Sequence, residues 1–239
     1  MDHTPSEMVP SEPVQAETAQ AAPAPMSGIQ IGRVILFRNL NLPMRPISRI
    51  LAAFAALAML INLVQPIWRI DLMAPQYPEG LVLQIFHDRF VGNVDQINGL
   101  NHYIGMATIH NEMFPEFEIM RYAIGLLVGW GLLAALVGRR WALASWLFGL
   151  LAFVLWAMWD MYSWGYNYGH NLDPHAAIKI EGMTYQPPLF GHKTLLNFEA
   201  WSYPDVGGYV LFVAISLAVA VFLYEWRRSF VSVMKNERK

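Results

Sequence analysis

The chain has 239 residues, 55% of them hydrophobic and 14% charged, where a soluble domain carries about 25% charged residues, so the composition points to a bilayer. A net charge of −2 is too small to imply a nucleic-acid partner. The absence of cysteine excludes disulfides, thiolate nucleophiles, iron–sulfur clusters and c-type haem attachment.

Residues 1–28 hold four acids, several Pro and Ala, and no Lys or Arg. That pattern lacks the basic start and apolar stretch of a secretory signal and reads as a disordered acidic cytoplasmic tail. A basic juxtamembrane segment, 29–49, follows. Four apolar stretches then reach the roughly 20 residues that a membrane helix needs: Ile47 to Trp68, Met120 to Val137, Trp141 to Met161 and Gly207 to Trp226. Residues 50–226 are thus expected to form a four-helix transmembrane domain, and 227–239 a basic cytoplasmic tail. Arg33, Arg38, Arg45 and Arg49 precede the first span, Arg139 and Arg140 join the second to the third, and five more basic residues follow the fourth. These are 11 of the 16 basic residues, and cytoplasmic loops attract Lys and Arg. The expectation is N-in, C-in, a multi-pass protein of the bacterial inner membrane with its two long loops extracytoplasmic.

Within the spans, Gly125 and Gly129 form a G-x-x-x-G that reads as close helix packing. Asp160 and Glu225 are the acids there and both lie near span ends, unlike the mid-membrane ionisable groups of ion carriers. No span holds a His, which disfavours a transmembrane haem.

The loops cover 69–119 and 162–206. Six of the seven histidines fall in them: His87, His102, His110, His170, His175 and His192. Both loops are apolar enough to fold together as a small α+β extracytoplasmic cap. Leu81, Leu83 and Ile85 alternate as in a strand, although the same run suits a short helix. Asp95 is placed to cap a helix over Gln96–Met113. Ile178–Glu181 reads as another short strand, and the cap as a two- or three-stranded sheet resting on the helix. The aromatic run from Trp156 to Tyr168 reads as an interfacial belt.

On the expected helix, His102, Met106, His110 and Met113 share one face within roughly 80°. Imidazole with thioether suits copper, and thioether favours Cu(I); Asn98 and Asn101 stand close enough to orient such ligands. Met at helical spacing equally reads as core. In the second loop, Gly169-His-Asn-Leu-Asp-Pro-His175 could bring His170 and His175 to one point, with Asn171 and Asp173 orienting a ring; the same residues also suit an Asx turn. Met158, Asp160 and Met161 end the third span, where thioethers could pass Cu(I) along or simply pack. No hydrolase constellation, phosphate loop or zinc motif is present, so neither a nucleotide nor covalent catalysis is expected.

Three groups of residues carry a resemblance. Ile97-Asn-Gly-Leu-Asn-His-Tyr-Ile-Gly-Met106 with Phe114-Pro-Glu116, Gly169-His-Asn-Leu-Asp-Pro174, and Pro187-Pro-Leu-Phe-Gly191 with Ser202-Tyr-Pro204 resemble a family of small bacterial integral membrane proteins. That family, itself without an established activity, is associated with nitrous oxide reductase gene clusters, beside copper-delivery and maturation proteins. The resemblance covers about residues 50–226. It implies an accessory protein supporting assembly or copper supply of a periplasmic metalloenzyme, with that enzyme or a copper chaperone as partner. His102, Met106 and His170 are the expected metal ligands, with Asn98, Asn101, Asn171 and Asp173 behind them; His110, Met113 and His175 do not clearly belong to the family pattern, and whether His110, His175 or His192 joins a site is left open. The alternatives are a metal-free structural or docking subunit, and a redox enzyme working at the membrane surface with a quinone.

Overall fold

The computed structural model describes residues 37–178, 180 and 182–236, with side chains as far as residue 228. The acidic tail therefore lies outside the described residues. The elements run α1 (Pro46–Ala58), β1 (Trp68–Ala74), β2 (Tyr77–Ile85), β3 (Phe90–Gly92), α2 (Val94–Ile104), α3 (Glu116–Val137), α4 (Arg140–His170), β4 (Gly191–Leu195), β5 (Phe198–Pro204) and α5 (Val206–Asn236).

Four helices are long and apolar enough to cross a membrane: 46–63, α3, α4 and 206–228. Proline starts the first, where its preset φ suits a helix and its missing N–H has no partner to lose. The helix tightens to a 3-10 turn over Met59–Leu63 and stops before Pro66. Trp68, expected as its last residue, instead opens β1, because a proline disfavours helix at the residue before it. The α4 helix continues nine residues past the expected Met161. At 1.5 Å per residue its 31 residues reach about 46 Å, beyond the roughly 30 Å hydrocarbon layer. Its last turns stand in the sheet layer, where Trp164 and Tyr168 pack on the core. Trp164 and Tyr168, read from the sequence as belt residues, are therefore core residues of the sheet layer.

The bundle core is built from small residues facing large ones. Ala52, Ala55 and Ala56 of α1 meet Leu127, Ala134 and Ala135 of α3 around the buried Trp146, whose indole donates to Leu127 O at 2.9 Å. Close approach is made at Gly131, where a Cβ would stand 2.6 Å from the Trp146 ring and 2.7 Å from Ala56. The expected Gly125 and Gly129 are not the packing glycines: a Cβ on either meets nothing within 4 Å.

At the end of the bundle away from the sheet, the basic residues bind the helices together. The Arg49 guanidinium donates to Ala135 O and Leu136 O, both at 2.8 Å, satisfying the terminal carbonyls of α3 where a cation also suits the helix dipole. Glu225 of α5 is fully buried and accepts from Ser48 Oγ (2.6 Å), Arg45 N (3.0 Å) and Arg140 Nη2 (3.2 Å). One carboxylate thus joins α1, α4 and α5.

At the other end the two long loops form one antiparallel sheet of five strands, in the order β3-β2-β1-β5-β4. The first loop supplies β1 to β3 and the second β4 and β5. They join through β1 and β5, from Trp68 opposite Pro204 to Met73 opposite Glu199. The alternation at residues 81–85 is a strand, with Leu81 and Leu83 buried. The sheet is larger than the expected two or three strands because 68–74 and 198–204 gave no alternation of their own. Ile178 and Ile180 are not in a strand; the Ile178 N–H is bonded to Tyr103 O at 2.9 Å. A second core, with Ile70, Leu81, Leu83, Phe90, Ile97, Ile109 and Tyr168 buried, fills the space between the sheet, α2 and the overhanging end of α4.

Candidate functional site

The expected helix over Gln96–Met113 ends at Ile104 and starts earlier, at Val94. Asn93 is its N-cap residue, and Asp95 lies in the first turn, where a carboxylate suits the helix dipole. Gly105 caps the C-terminus with φ +81° and receives the first backbone bond of the other loop, from Asp173 N at 2.8 Å. A Cβ there would stand 2.9 Å from Ala176 Cβ and 3.0 Å from Asp173 O. The chain then turns back, so Met106, His110 and Met113 do not continue the face of His102.

The two asparagines of this motif hold the return. Asn98 pairs with the backbone of Ile109 in both directions, donating to its carbonyl at 3.0 Å and accepting its N–H at 2.6 Å. Asn101 donates to Ala107 O at 3.3 Å. Their amides therefore serve backbone groups that the turn would leave without partners. Met106 is half-buried against the sheet-layer core, beside a small cavity of about 80 Å³. His102 is exposed.

His170 ends α4. Its Nδ1 lies 2.9 Å from Tyr166 O and donates to it, because a carbonyl can only accept. The ring stacks on Tyr166 at 3.9 Å. Asp173 makes an Asx turn, accepting His175 N at 2.8 Å. That backbone bond, with the His175 ring and the nearby charge of His102, holds the Asp173 carboxyl below the ordinary carboxylate range. The two polar motifs thus meet at Gly105 and Asp173, in a junction made by backbone and turn bonds. Among the described residues, no three His, Asp or Glu side chains come together to hold a metal ion.

A chamber of about 370 Å³ lies where the bundle meets the sheet. Met59 and Asn62 line it from the end of the first helix, Trp68, Phe190 and Pro204 from the sheet layer, and Phe114, Glu116 and Met120 from the start of α3. Phe153, Ala157, Met158, Asp160, Met161 and Trp164 line it from α4, and Leu211, Phe212 and Ile215 from α5. The α4 residues span about 16 Å along the helix. Its polar groups are few: two carboxyls, Glu116 and Asp160, and the buried amide of Asn62. Asn62 Nδ2 donates to Met59 O at 3.0 Å, whereas its Oδ1 is buried without a partner. The wall on the sheet side is held by a relay in which the Trp68 indole donates to Ser202 Oγ at 2.8 Å and the Ser202 hydroxyl to Leu189 O at 3.1 Å. Phe190 and Phe212 both line the chamber and are 69% exposed, so the chamber opens to the protein surface between the sheet layer and the first turns of α5.

No family model, curated protein or solved structure matches the chain. Sequence reasoning placed Asp160, Met158 and Met161 at the membrane edge, but centred the site on His102, Met106 and His170. The missed signal is that the motif residues Phe114, Glu116, Phe190 and Pro204 all face one chamber. They come from three separate segments and meet only in the folded chain.

Proposed function

We propose that the protein is a non-catalytic accessory protein of the bacterial inner membrane, with its sheet layer on the periplasmic side, and that it holds a membrane-borne apolar ligand in the chamber while supporting the assembly of a periplasmic metalloenzyme. The chamber carries the ligand part of this reading. Its volume lies in the range of small-molecule sites, and an apolar wall with a few converging polar groups is what such sites present. Its mouth opens to the protein surface between the sheet layer and the first turns of α5. The periplasmic placement rests on the basic residues, which gather at the opposite end of the bundle. The metalloenzyme rests on the family resemblance. The test is native mass spectrometry of the full chain purified in mild detergent, followed by extraction of its ligands. A stoichiometric apolar ligand is expected, and Ala157→Trp, which fills the chamber, removes it from a protein that still melts cooperatively. A ligand retained by Ala157→Trp would overturn the reading.

A second reading, copper supply, is favoured by one observation. Met59, Met120, Met158 and Met161 line the same chamber, and thioethers favour Cu(I); the His170 ring lies outside the chamber lining. Competition with a chromophoric Cu(I) chelator tests it. The Met158→Leu, Met161→Leu double variant is expected to lose at least tenfold in Cu(I) affinity, and the His102→Ala, His170→Ala double variant to show whether the imidazoles contribute. Equal affinity in wild type and both variants would end the copper reading.

A further inference from the structure

The end of the bundle away from the sheet carries a side-chain cluster that is separate from the chamber. We propose that Arg45, Tyr224 and Arg228 bind the phosphodiester headgroup of an anionic glycerophospholipid, whose acyl chains lie along the exposed apolar flanks of α1 and α5.

The cluster is organised around Glu225. This carboxylate is fully buried and accepts from Arg45 N at 3.0 Å and from the Arg140 guanidinium at 3.2 Å, and Arg228 Nη1 stands 3.9 Å from it. Among the described residues it is the only acid at this end of the bundle. Three arginines thus surround one carboxylate, and the surplus positive charge falls on the two exposed ones, Arg45 and Arg228. Arg49, the next arginine of α1, is engaged on the last carbonyls of α3 and stands outside the site. The Arg45 guanidinium is held in place, because its Nη1 donates to Tyr224 OH at 2.8 Å and the group lies over the Tyr224 ring at 5.9 Å. Its Nε and Nη2 have no acceptor among the described residues. Those two N–H groups form the parallel pair that meets two phosphate oxygens. The Tyr224 hydroxyl accepts from Arg45 and keeps its own hydrogen to donate. Arg228 lies four residues further along α5, on the same helix face as Tyr224.

Ile47 and Ile50 in the first turns of α1, and Leu223 next to Tyr224, are exposed on helices long and apolar enough to cross a membrane. A soluble anion would meet the arginines and leave these side chains bare, whereas one lipid molecule covers both. Net charge then selects among lipids. A zwitterionic headgroup brings the same phosphate together with an ammonium, which the surplus positive charge repels. An anionic headgroup such as phosphatidylglycerol brings no such cation, and clustered arginines beside a bilayer attract lipids of this kind.

The experiment is native mass spectrometry of the delipidated full chain in mild detergent. It is titrated with dioleoyl phosphatidylglycerol, with dioleoyl phosphatidylethanolamine, and with phosphatidylglycerol in excess glycerol phosphate. Phosphatidylglycerol is expected to bind about tenfold more tightly than phosphatidylethanolamine and to resist displacement by glycerol phosphate. An Arg45→Gln, Arg228→Gln double variant is expected to bring the ratio of the two lipids within about twofold. An Arg139→Gln, Arg227→Gln double variant is the control, removing two exposed charges from the same end, and is expected to keep most of the preference. Equal affinity for the two lipids in wild type, displacement by glycerol phosphate, or a preference that survives in the Arg45, Arg228 variant overturns the proposal. An equal loss in the control does so as well, because diffuse charge and not a site would then select the lipid. The wild-type ratio does not depend on any variant folding, and failure of this site leaves the chamber reading untouched.

Discussion

Gly169→Ala sets two effects against each other, and the structure says which wins. Gly169 is the penultimate residue of α4, and alanine is favoured over glycine inside a helix by about 1 kcal/mol. Against that, a Cβ at this position would stand 2.2 Å from Gln186 N and 2.3 Å from Gln186 Cα. Since comfortable contacts are about 3.5–4.0 Å, the 185–187 backbone must retreat by more than about 1 Å. That retreat breaks the bond from Tyr185 N to Gly169 O, now 3.0 Å, at about 0.5–1.5 kcal/mol. It also partly uncovers Tyr185, now 2% exposed, at about 1–2 kcal/mol more. The net expectation is a loss of about 1–2 kcal/mol, read as a fall of about 5 °C in melting temperature by tryptophan fluorescence of the detergent-solubilised protein. Gly129→Ala is the control. It makes the same chemical change inside α3, where a Cβ meets nothing within 4 Å, so the melting temperature is expected to stay or rise. A Gly169→Ala protein as stable as wild type would refute the claim that loop two is seated on the end of α4.

Glu225→Ala is expected to cost about 3–5 kcal/mol, the range for breaking a buried ion pair, because the Arg140 guanidinium and the Ser48 hydroxyl lose their shared carboxylate; a melting curve unchanged in the variant would contradict the buried network. At the sheet, Tyr203 donates a hydrogen bond to Asp71 Oδ2, and this bond raises its pKa, with burial adding to the effect. A raised folded-state value means that the stability from this bond is fully present below the ordinary tyrosine value of about 10 and is lost as pH rises through the folded value. Ultraviolet difference titration, with Tyr203→Phe used to assign the signal, should show Asp71→Asn moving the Tyr203 ionisation to lower pH; an ionisation that does not move would remove Asp71 as the cause.

Much of the bundle was legible in the sequence because its signals are local. Hydrophobic length marked four helices, and Lys and Arg marked the end of the bundle opposite the sheet. The alternation of Leu81, Leu83 and Ile85 marked a strand because one face of that strand is buried and side chains alternate with period two. The ends of elements were less legible. His102, Met106, His110 and Met113 keep a helical period on paper, but the helix stops at Gly105. What stops it is a left-handed glycine against which Asp173 and Ala176 pack, and no pattern around residue 105 announces residues some 70 positions later. The end of α4 was hidden for a similar reason: Trp164 and Tyr168 look like interface aromatics until a sheet is available for them to pack on.

Composition and periodicity alone therefore marked four helices long and apolar enough to cross a membrane, and two long loops between them. Tertiary structure decided what those loops make. Pairing of β1 with β5 joins segments about 130 residues apart into one sheet, and that pairing brings Phe190 and Pro204 over the ends of α3, α4 and α5 to close the chamber. Helical and strand periods report which face of one element is buried. They carry no information on which distant element buries it, and the chamber is made of such distant faces.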